Sequence, residues 1–355
     1  MMPSLEEEIK AIEEEIRKTP YNKATQHHIG RLKAKLARLR EEKTKQKGAA
    51  RVGIRKTGDA TVAIIGFPSV GKSTLLNMLT NAESKIGDYY FTTTEVIPGM
   101  MEYKGCRIQL LDLPGILSGA SSGKGRGKEI ISIARIVDLL LLMVECGGEE
   151  KINLILEELY NAGIRINQRQ PNVIVKKKDR GGIHVEFSKN VGIDEETVKA
   201  IAREYFINAD IVIREEIDED RLIDAFSLNR VYIKAIGVAN KVDVCDCKIK
   251  KIGNIEIIPI SAKTGYGIDT LKEKIFEKLE LIRVYMKPEG KKVEDIPLVL
   301  KKGATIEDVC KKIHRDFVKN FRYAQIWGSS AIFPGQRVGK SHTVKDGDII
   351  TLVAR

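Results

Sequence analysis

Residues 61–80 read TVAIIGFPSVGKSTLLNMLT, and these twenty residues indicate the fold class. The apolar run at 61–65 is typical of a buried strand, and a helix is predicted to open at Lys72. Between them, Gly66-Phe-Pro-Ser-Val-Gly-Lys-Ser73 matches the phosphate-loop pattern G-x-x-x-x-G-K-[ST]. Its glycines let backbone N–H groups surround phosphate oxygens at a helix N-terminus. The predicted nucleotide-binding residues of this segment are Gly66, Phe67, Pro68, Ser69, Val70, Gly71, Lys72, Ser73 and Thr74.

The P-loop and one further segment supply chemistry for the phosphates and for Mg²⁺. We expect Lys72 to reach the β- and γ-phosphates and Ser73 to bind Mg²⁺. After the predicted strand 107–111 come Asp112, Leu113, Pro114 and Gly115. Here Asp112 would hold Mg²⁺ through a water, and the N–H of Gly115 would sense the γ-phosphate.

A threonine-rich segment lies between these two motifs. Phe91, Thr92, Thr93 and Thr94 offer hydroxyls, one of which would complete the Mg²⁺ shell. The alternative interpretation of a threonine cluster is an ordinary strand.

Guanine is indicated by Asn240-Lys-Val-Asp243, at the end of a further apolar strand. The Asp243 carboxylate can accept hydrogen bonds from both the N1–H and the amine of guanine, a donor pair that adenine lacks. A polar group left unpaired rejects the wrong base. Lys241 would lie along the base and Asn240 would brace the loops. Backbone N–H groups of a last segment would bind the guanine O6; its residues are Ser261, Ala262 and Lys263.

The rest of the central chain alternates short strands with helices, which predicts an α/β fold with a mainly parallel sheet. The interval 116–239 is too long for one strand–helix–strand unit, so we place an α+β insertion at residues 165–228. The resulting segments are a helical hairpin (1–56), the first part of the nucleotide domain (57–164), the insertion (165–228), the second part (229–287) and a small mixed-sheet domain (288–355). A helix is predicted over 267–284.

The charge distribution bears on partners. The net charge is +11, residues 31–56 carry a net +9, and residues 288–355 carry a net +5. A basic second hairpin helix fits phosphate contact, and a solvated helix face fits equally well. Scattered Cys106, Cys146, Cys245, Cys247 and Cys310 favour free thiols over a disulfide framework. No apolar run is long enough to span a membrane and no secretory signal is present, so we expect a cytoplasmic protein, and a monomer.

With these motifs in place, the sequence resembles the Obg-like GTPases, and specifically the developmentally regulated GTP-binding protein (DRG) subfamily. The resemblance implies a P-loop G domain with an insertion like domain 2 of ribosomal protein S5 and a C-terminal TGS domain of the β-grasp fold. It assigns Thr93 as the threonine ligand of Mg²⁺. It also implies slow GTP hydrolysis, a role near ribosomes or RNA, and a regulatory protein partner.

The catalytic group is not assigned by the sequence. Ile116 stands where Ras-type enzymes place the glutamine that orients water, so Lys72 and Gly115 are the expected contacts to the transition state. Arg126 is a candidate arginine finger, with a solvated loop residue as the alternative. Some relatives use K⁺ held by a P-loop asparagine, whereas this chain has Ser69 there. A guanine-nucleotide-sensing module with negligible turnover is the alternative function.

Overall fold

The computed structural model describes residues 4–22, 25–46, 57–80, 97–113, 127–188 and 192–354. The chain divides into two compact units. The first contains residues 1–51 and 163–232, and the second contains residues 52–162 and 233–355. The stretch predicted as an insertion therefore belongs with the N-terminal hairpin, a grouping that the linear sequence does not reveal.

The secondary structure of the described residues follows the alternating pattern. The helices are α1 (Leu5–Lys18), α2 (Gln26–Gln46), α3 (Lys72–Leu79), α4 (Gly127–Ala134), α5 (Lys151–Asn161), α6 (Glu195–Arg203), α7 (Glu219–Phe226), α8 (Ile268–Leu279), α9 (Ile306–Ile313) and α10 (Arg315–Asn320). The strands are β1 (Ala60–Gly66), β2 (Ile97–Tyr103), β3 (Cys106–Asp112), β4 (Leu139–Glu145), β5 (Ile164–Ile166), β6 (Val173–Lys177), β7 (Ile183–Phe187), β8 (Ala209–Ile213), β9 (Val231–Asn240), β10 (Lys251–Ile252), β11 (Ile255–Pro259), β12 (Leu281–Met286), β13 (Leu298–Lys301), β14 (Phe321–Trp327), β15 (Gln336–Val338) and β16 (Ile349–Ala354). No helix in these described ranges has the length and apolar character needed to cross a membrane.

The central sheet of the second unit has the strand order β10-β11-β9-β4-β1-β3-β2. Strands β3, β1, β4, β9 and β11 run parallel, whereas β2 and β10 pair antiparallel at the two edges. Parallel strands covered on both faces are apolar along their whole length. Accordingly, all of β1 and residues 139–144 of β4 are buried.

The parallel arrangement brings the carboxyl ends of β1, β3, β4 and β9 to one edge of the sheet. Those ends are Gly66, Asp112, Glu145 and Asn240. In open α/β sheets, ligands bind at this edge. The predicted nucleotide motifs follow these same strands, so the topology collects them in one place.

The predicted helix over 267–284 is wrong at its C-terminal end. Helix α8 ends at Leu279, and Glu280 takes a left-handed conformation with φ 52°. Strand β12 then begins at Leu281. It joins a five-stranded sheet of order β13-β12-β16-β14-β15, which therefore starts before the predicted boundary at residue 288.

The five-stranded sheet is anchored to the rest of its unit by apolar and ionic contacts. Leu281 and Val299 belong to the apolar core of the central sheet. The Lys301 Nζ lies 2.9 Å from Asp138 Oδ1, and the Lys312 Nζ lies 3.0 Å from Asp59 Oδ1. Helix α9 covers one face of the five-stranded sheet, with Ile306 and Val309 in its core.

The first unit begins with the predicted helical hairpin. Ser4 and Glu7 form a capping box at the start of α1, which ends at Lys18, just before Thr19 and Pro20. Ile9, Ile12 and Leu39 form the buried centre of the hairpin. The amphipathic periodicity of both helices therefore packs them together, as predicted.

The remaining part of this unit is a three-stranded sheet of order β6-β8-β7 with helices α6 and α7. Its core includes Val198, Ile201 and Leu222, and Ala34 of α2 joins it. The α+β arrangement that the sequence predicts for residues 165–228 thus comprises these three strands and two helices.

Six cations of α2 are paired with carboxylates within the first unit. Each pair joins a cation of α2 to a carboxylate at 2.8–3.6 Å. The pairs are Arg31–Glu204, Lys33–Asp220, Lys35–Glu8, Arg38–Glu204, Arg40–Glu13 and Lys43–Glu6. These cations are therefore engaged inside the unit, which favours the solvated helix face over a phosphate-binding one.

Candidate nucleotide-binding site

The P-loop connects β1 to α3 through a backbone that requires glycine. Gly71 has φ 95°, and a Cβ there would lie 2.5 Å from Asn240 Nδ2. A Cβ on Gly66 would lie 2.3 Å from the carbonyl oxygen of Met143. Close approach therefore requires glycine at both positions, and the left-handed backbone is a second requirement at Gly71. Ser69 is left-handed too, with φ 63°.

Lys72 folds back over the loop that precedes it. Its Nζ donates hydrogen bonds to the carbonyl oxygens of Phe67 at 3.0 Å and of Gly66 at 3.4 Å. Burial lowers the pKa of Lys72 from its ordinary value, and the nearby Asp112 charge opposes that shift. A half-buried ammonium group is thus held at the phosphate-binding loop.

Ser73 and Asp112 meet at the start of α3. The Ser73 hydroxyl donates to Asp112 Oδ2 at 2.5 Å. The other oxygen, Oδ1, is buried and has no hydrogen-bond partner among the described residues. A buried carboxylate oxygen without a partner is unfavourable unless a cation or a water joins it. The pair offers the hard oxygen ligands that Mg²⁺ prefers, so these residues fit the ion.

Asn240 braces three segments of the site at the end of β9. The Asn240 side chain is 3% exposed. Its Nδ2 donates to the carbonyl oxygen of Val70 at 2.9 Å, and its Oδ1 accepts from the backbone N–H of Ala262 at 2.9 Å. One amide therefore links the P-loop, the Asn240–Asp243 loop and the Ser261–Lys263 segment.

The two predicted base-reading segments also contact each other directly. The Ser261 hydroxyl donates to Asp243 Oδ1 at 2.7 Å, and this hydrogen bond is the largest cause of the lowered pKa of Asp243. The backbone N–H of Thr264 donates to Ser261 Oγ at 3.2 Å. The Asp243 carboxylate is thus kept ionised and oriented.

Lys241 spans from the base loop to the P-loop. It has φ 69°, its Nζ donates to the carbonyl oxygen of Ser69 at 3.2 Å, and it pairs with Glu145. Sequence reasoning missed Glu145. The available signal was its position as the last residue of β4, whose carboxyl end neighbours those of β1 and β9.

A cavity of about 190 Å³ opens where these segments meet. It is lined by residues of the P-loop, the start of α3 and the two predicted base-reading segments. Val244 is a further lining residue that the motifs did not indicate. The lining residues are Gly71, Thr74, Asn240, Lys241, Asp243, Val244, Ala262 and Lys263.

A disulfide joins Cys146 to Cys245 beside this cavity, so the expectation of free thiols is wrong for these two residues. Cys106, Cys247 and Cys310 are free. The sequence could not indicate the pairing because 99 residues separate the partners. The fold brings them together because they follow neighbouring strands: Cys146 comes directly after β4, and its N–H donates to the carbonyl oxygen of Asn240 at 2.8 Å.

Some predicted site residues lie outside the described residues. They are Phe91, Thr92, Thr93, Pro114, Gly115, Ile116 and Arg126. Leu113 is described and is buried next to Asp112, where its N–H donates to the carbonyl oxygen of Ile64. The P-loop, Asp112 and the two predicted base-reading segments are therefore the described parts of the site.

Comparison with known families gives matches along nearly the whole chain. The profile described as 50S ribosome-binding GTPase matches residues 61–178, and the profile for the C-terminal region of that domain matches residues 180–281. The TGS domain profile matches residues 282–354. The last match coincides with the five-stranded sheet.

Individual relatives extend over the same length. An uncharacterised GTP-binding protein of Methanocaldococcus jannaschii is 53% identical, covering 99% of this chain and 93% of that protein. Developmentally-regulated GTP-binding protein 1 homolog of Dictyostelium discoideum is 44% identical, covering 99% of this chain and 100% of that protein. Developmentally-regulated GTP-binding protein 1 of Xenopus laevis is 44% identical, covering 98% of each chain.

Among solved structures, the G domain of FeoB from Methanococcus jannaschii is 19% identical and covers 62% of this chain and 97% of that chain, with a TM-score of 0.30. The family assignment therefore rests on the profiles and on the full-length relatives. These are GTP-binding proteins with a P-loop G domain, a domain type that hydrolyses GTP and generally uses Mg²⁺. This chain belongs to the developmentally regulated GTP-binding protein family of GTPases, and it carries a TGS domain at its C-terminal end.

Proposed function

We propose that this protein hydrolyses GTP slowly and acts as a nucleotide switch in translation or at the ribosome. The observation that carries the proposal is the bridge made by Asn240, which couples the P-loop to both base-reading segments. A ligand that contacts base and phosphates at once stabilises this arrangement as a whole. The loops can therefore respond to the nucleotide as one unit.

Guanine selection is assigned to Asp243. Its carboxylate lines the cavity and would accept hydrogen bonds from the N1–H and amine of the base. The Ser261 hydroxyl supports that role because it occupies Oδ1 and fixes the carboxylate orientation. The base would lie along Lys241, and the N–H groups at Ala262 and Lys263 would bind the guanine O6.

Phosphate and Mg²⁺ binding are assigned to Lys72, Ser73 and Asp112, with Thr93 and Gly115 as further predicted contacts. Lys72 would exchange its two carbonyl acceptors for phosphate oxygens. Bound Mg²⁺ would neutralise charge that develops on the phosphates. The unpartnered Asp112 Oδ1 supports a role in the ion's shell.

The slow rate follows from Ile116, which cannot hold the attacking water. Positioning and charge neutralisation dominate phosphoryl transfer, so hydrolysis proceeds without an assigned base. Arg126 is a candidate in cis for the missing charge, and a regulatory protein partner is the second source. A bound cation such as K⁺ is a third candidate source of this charge, although Ser69 replaces the asparagine that would hold it.

The ribosome-directed role is supported by two observations. The profile that matches residues 61–178 describes ribosome-binding GTPases. The net charge of +11 favours a polyanionic partner such as RNA.

The proposal is tested by GTP turnover in K⁺ and in Na⁺ buffer, with and without purified ribosomes. Lys72→Ala is the control, because it removes the ammonium group at the P-loop. We expect turnover that ribosomes raise and that Lys72→Ala abolishes. Tight GTP binding with no turnover in any condition would instead establish the alternative function, a nucleotide-sensing module.

A further inference from the structure

The five-stranded sheet of the TGS domain has one face that α9 does not cover. Along β14, Ala324 and Ile326 are fully buried on the α9 side. Successive residues of a strand point to opposite faces, so Tyr323, Gln325 and Trp327 point to the other side. All three are partly exposed.

Strand register places further side chains on this same face. Trp327 lies opposite Ile349, which in turn lies opposite Tyr285 on β12. Gln325 lies opposite Arg337 on β15. Residues directly opposite each other share a face. Lys287 follows Tyr285 by two residues and therefore joins them. We call this surface the β14 face; it consists of Tyr285, Lys287, Tyr323, Gln325, Trp327 and Arg337.

Two aromatic rings of the β14 face, those of Tyr323 and Trp327, each have a cation lying over them. The Lys287 Nζ lies 4.9 Å from the centroid of the Trp327 ring, and the Arg337 Cζ lies 4.6 Å from the centroid of the Tyr323 ring. Tyr323 and Trp327 are four residues apart, which corresponds to about 13 Å along a strand. The surface thus carries two ring–cation pairs, one toward each end of β14.

The local charge favours an anionic partner. Residues 288–355 carry thirteen basic and eight acidic residues. Of the two acids in the turn before β16, Asp346 is paired with Arg283 at 2.8 Å and Asp348 is fully buried. The cations of α2, in contrast, are already engaged with carboxylates of their own unit. The β14 face is therefore the better candidate for contact with a polyanion.

From this arrangement we propose that the β14 face binds single-stranded RNA, with bases stacked on Tyr323 and Trp327 and phosphates held by Lys287 and Arg337. Aromatic rings on an open sheet stack unpaired bases, and flanking cations contact the backbone. The flexible stems of Lys287 and Arg337 let each cation turn to a phosphate while a base takes its ring. The spacing of about 13 Å between Tyr323 and Trp327 exceeds the roughly 3.4 Å step between stacked neighbouring bases. The two rings therefore take bases of non-adjacent nucleotides.

This inference rests on the proposed ribosome-directed function and specifies where its RNA contact lies. The test uses the full chain and a fluorescein-labelled twelve-nucleotide oligouridylate, with binding followed by fluorescence anisotropy. We expect Tyr323→Leu to weaken binding roughly tenfold, because one base–aromatic stack is lost. We expect Arg337→Ala to reduce the slope of log affinity against log salt by about 0.7, as for one lost phosphate contact.

The matched control is Lys311→Ala, which removes one positive charge from the α9 side of the same domain. Its side chain is 53% exposed, and it should leave RNA affinity unchanged. GDP affinity and thermal unfolding of all three variants should match the parent chain, which shows that the fold is intact. An equal loss with Lys311→Ala, equally tight binding of a duplex, or no RNA binding by the parent chain would overturn the inference.

Sedimentation of the same variants with ribosomes separates this inference from the proposed function. Loss of ribosome association in Tyr323→Leu and in Arg337→Ala would support both the proposed function and the RNA contact at the β14 face. Association and turnover that both variants retain would leave the proposed function standing and overturn the β14 face as its RNA contact. If RNA binding is also unchanged while a ribosomal protein crosslinks to the β14 face, the partner is a protein. If the parent chain shows neither turnover nor ribosome association, the proposed function is wrong. The inference about RNA is then still tested separately by oligouridylate binding.

Discussion

Ser73 and Asp112 are joined by a 2.5 Å hydrogen bond that uses only one of the two carboxylate oxygens. Asp112 Oδ1 is buried with no hydrogen-bond partner among the described residues. The two residues are 39 positions apart and come together because β3 lies beside β1 in the sheet. A serine hydroxyl and a partly unsatisfied carboxylate at the start of a P-loop helix fit a magnesium site.

Asp112→Asn should therefore abolish Mg²⁺-dependent turnover. The substitution removes the charge that we propose holds the ion, and we expect GTP hydrolysis to fall at least ~100-fold, since a bound metal contributes several kcal/mol to catalysis. A Mg²⁺ titration of turnover would measure the change. Asp59→Asn, which alters a carboxylate paired with Lys312, is the control. Unaltered Mg²⁺ dependence in Asp112→Asn would contradict the assignment.

Asn240→Ala should weaken both the fold and nucleotide binding. It leaves the carbonyl of Val70 and the N–H of Ala262 without their partner, and a buried unsatisfied group costs about 1–3 kcal/mol. Since two groups lose their partner, we expect the free energy of unfolding to fall by at least that amount and GDP to bind at least ~10-fold more weakly, because base and phosphate segments separate. Denaturant unfolding and calorimetry measure the two effects.

Asn240→Asp is the matched variant because it retains the acceptor oxygen and loses the donor. Because its second carboxylate oxygen would face the carbonyl oxygen of Val70 at a buried position, its effects should be at least as large as those of Asn240→Ala. If both variants bind GDP like the parent chain, the bridge has no role in nucleotide binding.

Asp243→Asn should shift preference from guanine toward xanthine nucleotides, because we propose that the carboxylate accepts a hydrogen bond from the base amine. We expect GDP affinity to fall and xanthosine diphosphate affinity to rise, as measured by competition against a fluorescent nucleotide. Asp246→Asn, at an acid three residues further along the chain, is the control. An unchanged GDP affinity in Asp243→Asn would refute the assignment.

The pH dependence of GDP binding should follow the ionisation of Asp243. Its pKa is lowered from 3.8, chiefly by the hydrogen bond from Ser261. Binding that needs the carboxylate is present above the lowered pKa and is lost as the pH falls through it. Ser261→Ala should raise the pKa, so its loss of affinity should begin at higher pH. Identical pH profiles in the two proteins would show that this hydrogen bond does not control the base site.

The Cys146–Cys245 disulfide should stabilise the second unit. Under non-reducing denaturation, thiol titration should detect Cys106, Cys247 and Cys310 only. Cys245→Ser should lower the free energy of unfolding by about 2–5 kcal/mol, because the cross-link closes a long loop. Cys247→Ser is the control, since it removes a free thiol. Five titratable thiols in the parent chain would show that the bond is absent.

The motifs of the proposed nucleotide site can be recognised in the local sequence because they depend on short-range chemistry. Gly71, followed by a lysine and a serine, predicts a loop that leads into a helix. The apolar run at 61–65 predicts the strand before that loop. Parallel strands then place Asn240 near the same edge by topology alone. For the same reason, Glu145 and the disulfide escaped prediction: their partners lie 96 and 99 residues away.

The ends of elements were harder to predict where the chain changes structure without a glycine or proline. The α8–β12 boundary passes through Glu280, a residue type that rarely adopts a left-handed conformation. The apolar positions of β12 continue those of the helix before it. Only pairing with β13 and β16 makes Leu281–Met286 a strand.

The amino-acid sequence alone was enough to infer the α/β class, the P-loop, the N-K-x-D motif at residues 240–243 and the helical hairpin, because each depends on residues near one another along the chain. Which distant groups meet depends on the tertiary structure. It paired the cations of α2 with Glu204 and Asp220, which the net charge of the segment could not foresee. It also aligned Arg337 with Tyr323 and Lys287 with Trp327, because strand register, and not sequence proximity, determines which side chains share a face of a sheet.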